Sequence, residues 1–456
     1  MDTTKKIAEY IVGITFNEIP QKVISFAKQC ILDCLGVALA GSTSPAVKIV
    51  NKLVKELEGK PEAVVWGCRF RSSVLMAAFV NGIMAHFLDY DDDSSSIEGH
   101  PSAILVPVVL SIGDKMRISG KDALVAYIAG LETEIKIGRG INVGHYEKGW
   151  HATATLGTLG AAVAAAKILK LNIDQIRTAI GIAASEAAGL RQNFGTMTKS
   201  FHAGNAARSG ILAALLANKG FTADKNILEA QFGFCKLFSK DNKYDLNKMT
   251  ENLGKLSGII LPDISLKPYP SCRCSHSAID AMLDIVNKYN ICPDEVEKIE
   301  VKTCRLNSLV LTKHNPKTGL EGKFSMEFCV AIAFLEKQVG LSQFTDEKVQ
   351  NKKTQSLMKK VNMVVEPSLQ DVEERENMYL PSIVAVKIKN SKEYIKRVDI
   401  PKGHPLAPLS RQELVDKYQK CVEGVLSIYD SEQLIELVEN IENVNDIRKL
   451  TNILIT

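Results

Sequence analysis

The sequence is poor in the features that usually betray a function. It has no basic block: 56 Lys and Arg against 52 Asp and Glu leave a formal net charge of +4, spread along the chain. That argues against nucleic acid as a partner and leaves a small surplus compatible with anionic small molecules. The start, "MDTTKKIAEYIVGI", lacks a signal-peptide layout, so a cytoplasmic protein is expected. The longest soft apolar stretch, "HATATLGTLGAAVAAAKILKL" (151–171), is interrupted by Lys167 and reads as a buried helix, so no membrane partner is expected. Ten cysteines show no zinc spacing, since the C-x-C of Cys272 and Cys274 has no second pair. These, like Cys30 and Cys34, read as reduced thiols used in packing. There is no G-x-x-x-x-G-K-[ST] phosphate loop, no H-E-x-x-H, no Ser or Cys nucleophile signature and no repeat of fixed period.

What is present is helical periodicity. Up to about residue 265, segments such as "QKVISFAKQCILDCLGVALAG" and "RSSVLMAAFVNGIMAHFLD" repeat apolar residues at i, i+3 and i+4. Several end in Gly and begin after Ser, Asp or Pro. Composition changes at "LPDISLKPYPSCRCSH", and "VEKIEVKTC", "SIVAVKIKN" and "EYIKRVDIP" then alternate as strands do. Helical pattern returns after "IPKGHPLAPLS". The expected architecture is mainly α: a large all-helical domain (1–265), a smaller α+β lid domain with an antiparallel sheet (266–402), and C-terminal helices (403–456) that rejoin the helical domain. The two crossings would act as a paired hinge, and the cleft between domains is the favoured place for a small-molecule site.

The densest chemistry lies in "HFLDYDDDSSSIEGHPS" (86–102). Asp89, Asp91 and Asp93 occupy positions 1, 3 and 5 of a calcium-loop template, but position 6 is Ser94 instead of Gly and position 12 is His100 instead of Glu. No metal is therefore expected. Asp89 and His100 are expected to face a substrate, and Asp91, Asp92 and Asp93 to be solvated, capping or loop-shaping residues. His100, His145, His151, His202 and His276 all sit beside Gly, Pro or Ser at predicted helix entrances, where the helix dipole favours anions. Lys199 lies in "NFGTMTKSFHAG" and Arg273 in "KPYPSCRCSH". Arg191 and Arg273 are candidate carboxylate clamps, because a guanidinium meets a carboxylate bidentately. This inventory suits proton abstraction next to a carboxylate, with the developing charge held by cations and with no cofactor required. Loss of water or CO2, reprotonation on the other face, and mere binding of a polycarboxylate all remain open at this point.

These same motifs, together with "GWHATATLG", "AAGLRQNFGTMTKSFHAG", "GKFSMEFCVA" and "GHPLAPLS", resemble the MmgE/PrpD family over nearly the whole chain. The family includes 2-methylcitrate dehydratase, cis-aconitate decarboxylase and iminodisuccinate epimerase. The resemblance implies a homodimer of a helical domain closed by an α+β lid, working without metal or organic cofactor on a small anionic carboxylate. The decarboxylase branch implies Asp89, His100, His151, Lys199 and His276 as catalytic residues. The epimerase branch implies Tyr146 and Lys199 as opposed acid–base groups. Lys199 and His276 are expected to exchange protons. His100 and His151 are expected to bind carboxylates, Asp89 to orient a histidine or lysine, and Arg191, Arg273 and His202 to contact the substrate. The sequence departs from the decarboxylases after the aspartates, where Asp93 and Ser94 stand near the family's threonine and one extra residue precedes His100.

Overall fold

The apolar stripes of the first 220 residues close on a central pair of helices whose small side chains let their neighbours approach. In the computed structural model, which describes residues 2–142, 144–372 and 380–456, the principal helices of this part are α1 (Gln21–Gly41), α2 (Val74–Phe87), α3 (Ser102–Met116), α4 (Gly120–Ile141), α5 (Ala152–Ile168) and α6 (Met197–Asn218). Every residue of α5 except Lys167 is buried. A helix apolar on all sides must lie inside, and α5 packs against α3, α4 and α6. Gly204 of α6 shows how close the contacts are: a β-carbon there would stand 2.2 Å from the carbonyl oxygen of Phe79 on α2. Helix α1 is long and apolar enough to cross a membrane, but 72% of its apolar window is buried inside the fold. It packs against α2 and against the C-terminal helix α9 (Arg411–Val422).

The first 265 residues are not purely helical. A small antiparallel pair, β1 (Ala63–Val65) with β2 (Phe70–Ser72), was hidden by its three-residue length. Strand β3 (Asp93–Ser94) pairs antiparallel with β4 (Ile264–Ser265), which fastens the aspartate loop to the segment that leads into the second region.

That second region holds a four-stranded sheet in the order β6–β5–β7–β8. The strands are β5 (Val296–Thr303), β6 (Val361–Val365), β7 (Ser382–Ile388) and β8 (Glu393–Val398). The three strands read from alternation are β5, β7 and β8, and they pair antiparallel. The sheet is mixed, however, because β6 pairs parallel to β5. "VNMVV" lacks clean alternation, so its period does not announce it. Helices α7 (His276–Lys288) and α8 (Met326–Glu336) pack on each other, and α7 covers β7 and β8.

Candidate active site

Helix α2 ends at Phe87, and the chain turns through Asp89 with φ of 51°, a left-handed conformation uncommon for Asp. The turn aims the Asp89 carboxylate at two lysines. Oδ1 accepts from Lys267 Nζ at 2.7 Å and from Lys199 Nζ at 3.1 Å, and Lys267 also donates to the Asp89 carbonyl at 3.1 Å. All three residues are at least 95% buried. Burial alone would push the Asp89 carboxyl up, but Lys199, Lys267, His100 and His86 together hold it well below the usual carboxylate range. Burial likewise opposes the charge on Lys267, yet Asp89, Asp91 and Asp93 raise its pKa above that of a free lysine. Lys199 stands in the first turn of α6, flanked by the rings of Phe194 and Phe324 at 5.4 and 5.5 Å. This apolar wall lowers the local dielectric and strengthens the ion pairs.

His100 Nδ1 lies 2.7 Å from the Asp92 carbonyl. A carbonyl only accepts, so Nδ1 carries the proton, and Nε2 faces Asp89 Oδ1 across 3.8 Å with its lone pair free. Burial, then Lys267 and Lys199, keep this imidazole neutral far below 6.5. His151 caps α5, its Nδ1 shares a hydrogen bond with His202 Nδ1 at 3.0 Å, and its buried Nε2 has no partner. Burial holds it neutral too. His86 fills the space between, 4.6 Å from the ring of His100 and 5.6 Å from that of His151. It donates from Nδ1 to Asp91 Oδ2 at 2.7 Å.

Asp89, His100, Tyr146, His151, Lys199 and Arg273 all line one cavity of about 50 Å³, roofed by Phe194, Leu306, Val310 and Phe324. The helical part and the lid region both contribute walls. The space is far below the roughly 300–1,000 Å³ of a typical small-molecule pocket. Burial raises the Tyr146 phenol well above 10 despite Arg191, leaving it a proton donor.

Three of the sequence-predicted residues do not line this cavity. His276, at the start of α7, donates from Nε2 to the Ser271 carbonyl at 3.2 Å and sits edge-on to Tyr269. Burial lowers its pKa to about 3. Arg191 lies flat on the Tyr146 ring at 3.7 Å and donates to the Tyr146 carbonyl at 2.9 Å, so it braces the tyrosine from behind. His202 stands in the second turn of α6, not at a helix entrance, and backs His151. Arg273 does reach the cavity, but its guanidinium is already paired with Asp93 and gives Nη1 to Ser95 Oγ at 3.1 Å.

Of the expectations for Asp91, Asp92 and Asp93, the solvated one is overturned, since they are 0, 1 and 7% exposed, whereas Asp92 does cap the start of α3. Each is bought inside by a partner, Asp91 by His86, Asp92 by the Ser102 hydroxyl and backbone N–H, and Asp93 by Arg273. His86, Asp91 and His100 also lie close enough to hold an ion. Both Nδ1 atoms already donate within the protein, so ligation through Nδ1 would have to break these hydrogen bonds, whereas ligation through Nε2 would leave them in place.

The family model for the MmgE/PrpD N-terminal domain matches residues 5–247, and that for the C-terminal domain matches residues 269–443. The chain belongs to the MmgE/PrpD family. It is similar to cis-aconitate decarboxylase of Mus musculus, 28% identical over 99% of this chain and 93% of that protein. A cis-aconitate decarboxylase of Aspergillus terreus is 25% identical over 99% of this chain and 95% of that protein. The 2-methylcitrate dehydratase of Salmonella typhimurium strain LT2 is 23% identical over 88% and 86%. This MmgE/PrpD member is an enzyme of the lyase kind. Its sequence alone concealed Lys267 and Lys323. Lys323 Nζ donates to the carbonyls of Leu88 at 2.7 Å and Pro270 at 2.8 Å, tying the end of α2 to the lid. Burial brings its pKa down to about 7. A neutral amine has two N–H groups, one for each carbonyl.

Proposed function

We propose that this lyase acts on a small di- or tricarboxylate such as cis-aconitate or 2-methylcitrate, by acid–base chemistry next to a carboxylate and using the protein's own groups. The observation that carries this reading is the Lys199–Asp89–Lys267 cluster facing two neutral imidazoles across one small cavity. The lysines, with Arg273 beyond, attract substrate carboxylates. His100 Nε2 and His151 Nε2 are free to take or share a proton. Negative charge that develops on carbon as CO2 leaves, or as a base removes the proton next to the carboxylate, is stabilised by preorganised cations; Lys199 or Tyr146 then gives a proton to that carbon after decarboxylation, or to the departing hydroxide in dehydration.

The decarboxylase arm comes first, because similarity to the cis-aconitate decarboxylases spans more of the chain than similarity to the dehydratase. An epimerase needs a base opposite an acid. Tyr146 is kept protonated and Lys199 is ion-paired with Asp89, so neither stands as a free base for the Tyr146–Lys199 pairing an epimerase would use. The resemblance also extends to a homodimer, which sedimentation of the purified protein tests.

Mass spectrometry of purified protein incubated with cis-aconitate, 2-methylcitrate, citrate and iminodisuccinate, with and without chelator, tests the reading. Loss of CO2 or water from one of the first three, unaffected by chelator, is expected. Lys199→Ala should fold normally and lose about 10²–10⁴-fold in kcat. Near-normal turnover by that variant would sink its assigned role, and deuterium incorporation from solvent without loss of water or CO2 would replace the lyase with an epimerase.

A further inference from the structure

The turn that closes the aspartate loop carries one acid that the chemistry above leaves unused. Glu98 lines the cavity and is 9% exposed, and neither of its carboxyl oxygens has a hydrogen-bond partner. Its backbone N–H donates to the Ser94 carbonyl at 2.9 Å, and its φ is 53°. A left-handed conformation costs a non-glycine residue about 1–2 kcal/mol. A glutamate on an ordinary loop would turn outward into water. A carboxyl kept dry, unpaired and on a strained turn has a role that a ligand completes.

The cations nearest to it do not satisfy it. Arg273 is engaged by Asp93 and Ser95, and Arg191 gives Nη1 to the Tyr146 carbonyl and Nη2 to that of Leu309. Burial outweighs both arginines and pushes the Glu98 carboxyl up to about 8, so at neutral pH it is mainly the neutral acid, a single O–H donor. The two lysines belong to the other charge cluster, around Asp89.

We propose that Glu98 is a specificity-determining residue which, as a neutral carboxyl, donates a hydrogen bond to a second carboxylate of the substrate, beside Arg273 and apart from the reacting end at Lys199. The proposal rests on the reading of the site as one for a small di- or tricarboxylate. It adds a selection: an acid with a carboxylate at each end is held, and a monoacid leaves Glu98 unpaired. A neutral donor binds the far carboxylate without adding another positive charge to a cavity that already holds Lys199, Lys267 and Arg273.

Steady-state kinetics of the full chain on cis-aconitate and 2-methylcitrate, from pH 6 to 9, tests this with Glu98→Gln and Glu98→Ala. Glutamine keeps a neutral donor, so KM should stay within about threefold of wild type. Alanine should raise KM roughly ten- to hundredfold with kcat little changed, the worth of a hydrogen bond to a charged group. In the wild type KM should climb as the pH passes 8 and Glu98 ionises, and the glutamine variant should lose that climb. The groups facing Glu98 are Asp93 on its own loop, Arg273 from the second region, Arg191, and Tyr146 and Glu147 from the short helix Gly144–Glu147. All of them remain in both variants. An alanine variant with unchanged KM, or one that loses only thermal stability, overturns the proposal. A glutamine variant as impaired as alanine overturns it too, since a charged carboxylate would then be required. If the wild type neither binds nor converts these acids, the reading of the site falls and this proposal falls with it. An active wild type beside an unaffected alanine variant refutes the proposal alone.

Discussion

Replacing Lys267 with Met removes the cation closest to Asp89 while keeping most of the side-chain volume. At an effective dielectric constant of about 20, unit charges 2.7 Å apart attract by roughly 6 kcal/mol before desolvation is counted. Breaking a buried pair from one side costs about 3–5 kcal/mol, because the remaining charge is stranded. Lys199, at 3.1 Å, still serves the same oxygen, so the lower end, about 3 kcal/mol, is expected for Lys267→Met. Asp89→Asn should also destabilise, since it strands both lysines. In the double variant the stranded carboxylate no longer exists, so its loss should fall short of the sum of the singles by at least about 1 kcal/mol. Urea unfolding of the four proteins at pH 7 measures the cycle. With an unfolding entropy of about 2.1 cal/mol/K per residue over 456 residues, 3 kcal/mol corresponds to a fall of about 3 °C in Tm. Additivity within about 0.5 kcal/mol, or a Lys267→Met variant as stable as wild type, would refute the claim that this pair is coupled and buried.

Two further predictions use pH. His276 has a folded pKa of about 3, below the roughly 6.5 of an unfolded imidazole, so the unfolded chain takes the proton first and stability falls as pH drops below 6.5. His276→Asn should flatten that fall by up to about 1.4 kcal/mol per pH unit between pH 6 and 4, followed by urea midpoints, and an unchanged slope would contradict its neutral, buried state. Lys323 gives the mirror case: its folded pKa of about 7 lies below the roughly 10.4 of an unfolded lysine, so the unfolded state holds more protons between those values and stability rises with pH across that window. Lys323→Met should remove that rise, and a variant that gains stability from pH 7 to 10 as steeply as wild type would show the lysine to be charged.

The helices were legible because their burial has a period, and three strands were legible because theirs does. β1 and β2 were not, at three residues each, nor was β6, whose five residues are stabilised by pairing with β5. In the site, residues inside distinctive motifs, such as His100 and His151, could be named from sequence. Lys267 and Lys323 could not, since a lysine in "LKPYP" or "GKFSM" reads like any surface lysine until folding places three carboxylates around one and two carbonyls against the other. The aspartate run misled for a related reason. A cluster of acids reads as solvated, and only the tertiary fold brings Arg273 to Asp93. His276 lies off the cavity lining, because a motif gives order along the chain and not the direction of a side chain.

The loop from Ser94 to Gly99 is held at its base by main-chain contacts: Ser94 bridges Gly99 and also pairs with Ile264. Gly99 lies so close to α5 that a β-carbon would stand 2.7 Å from the Thr153 nitrogen. Within this frame Ile97 is fully buried, and the hydroxyls of Ser95 and Ser96 accept from Arg273 and Arg139. Glu98 is the position of the loop whose side chain holds nothing in place. Evolution can exchange that one residue while the backbone frame and its neighbours stay put, trying new acids on an intact catalytic floor. A protein engineer can do the same by varying position 98 alone.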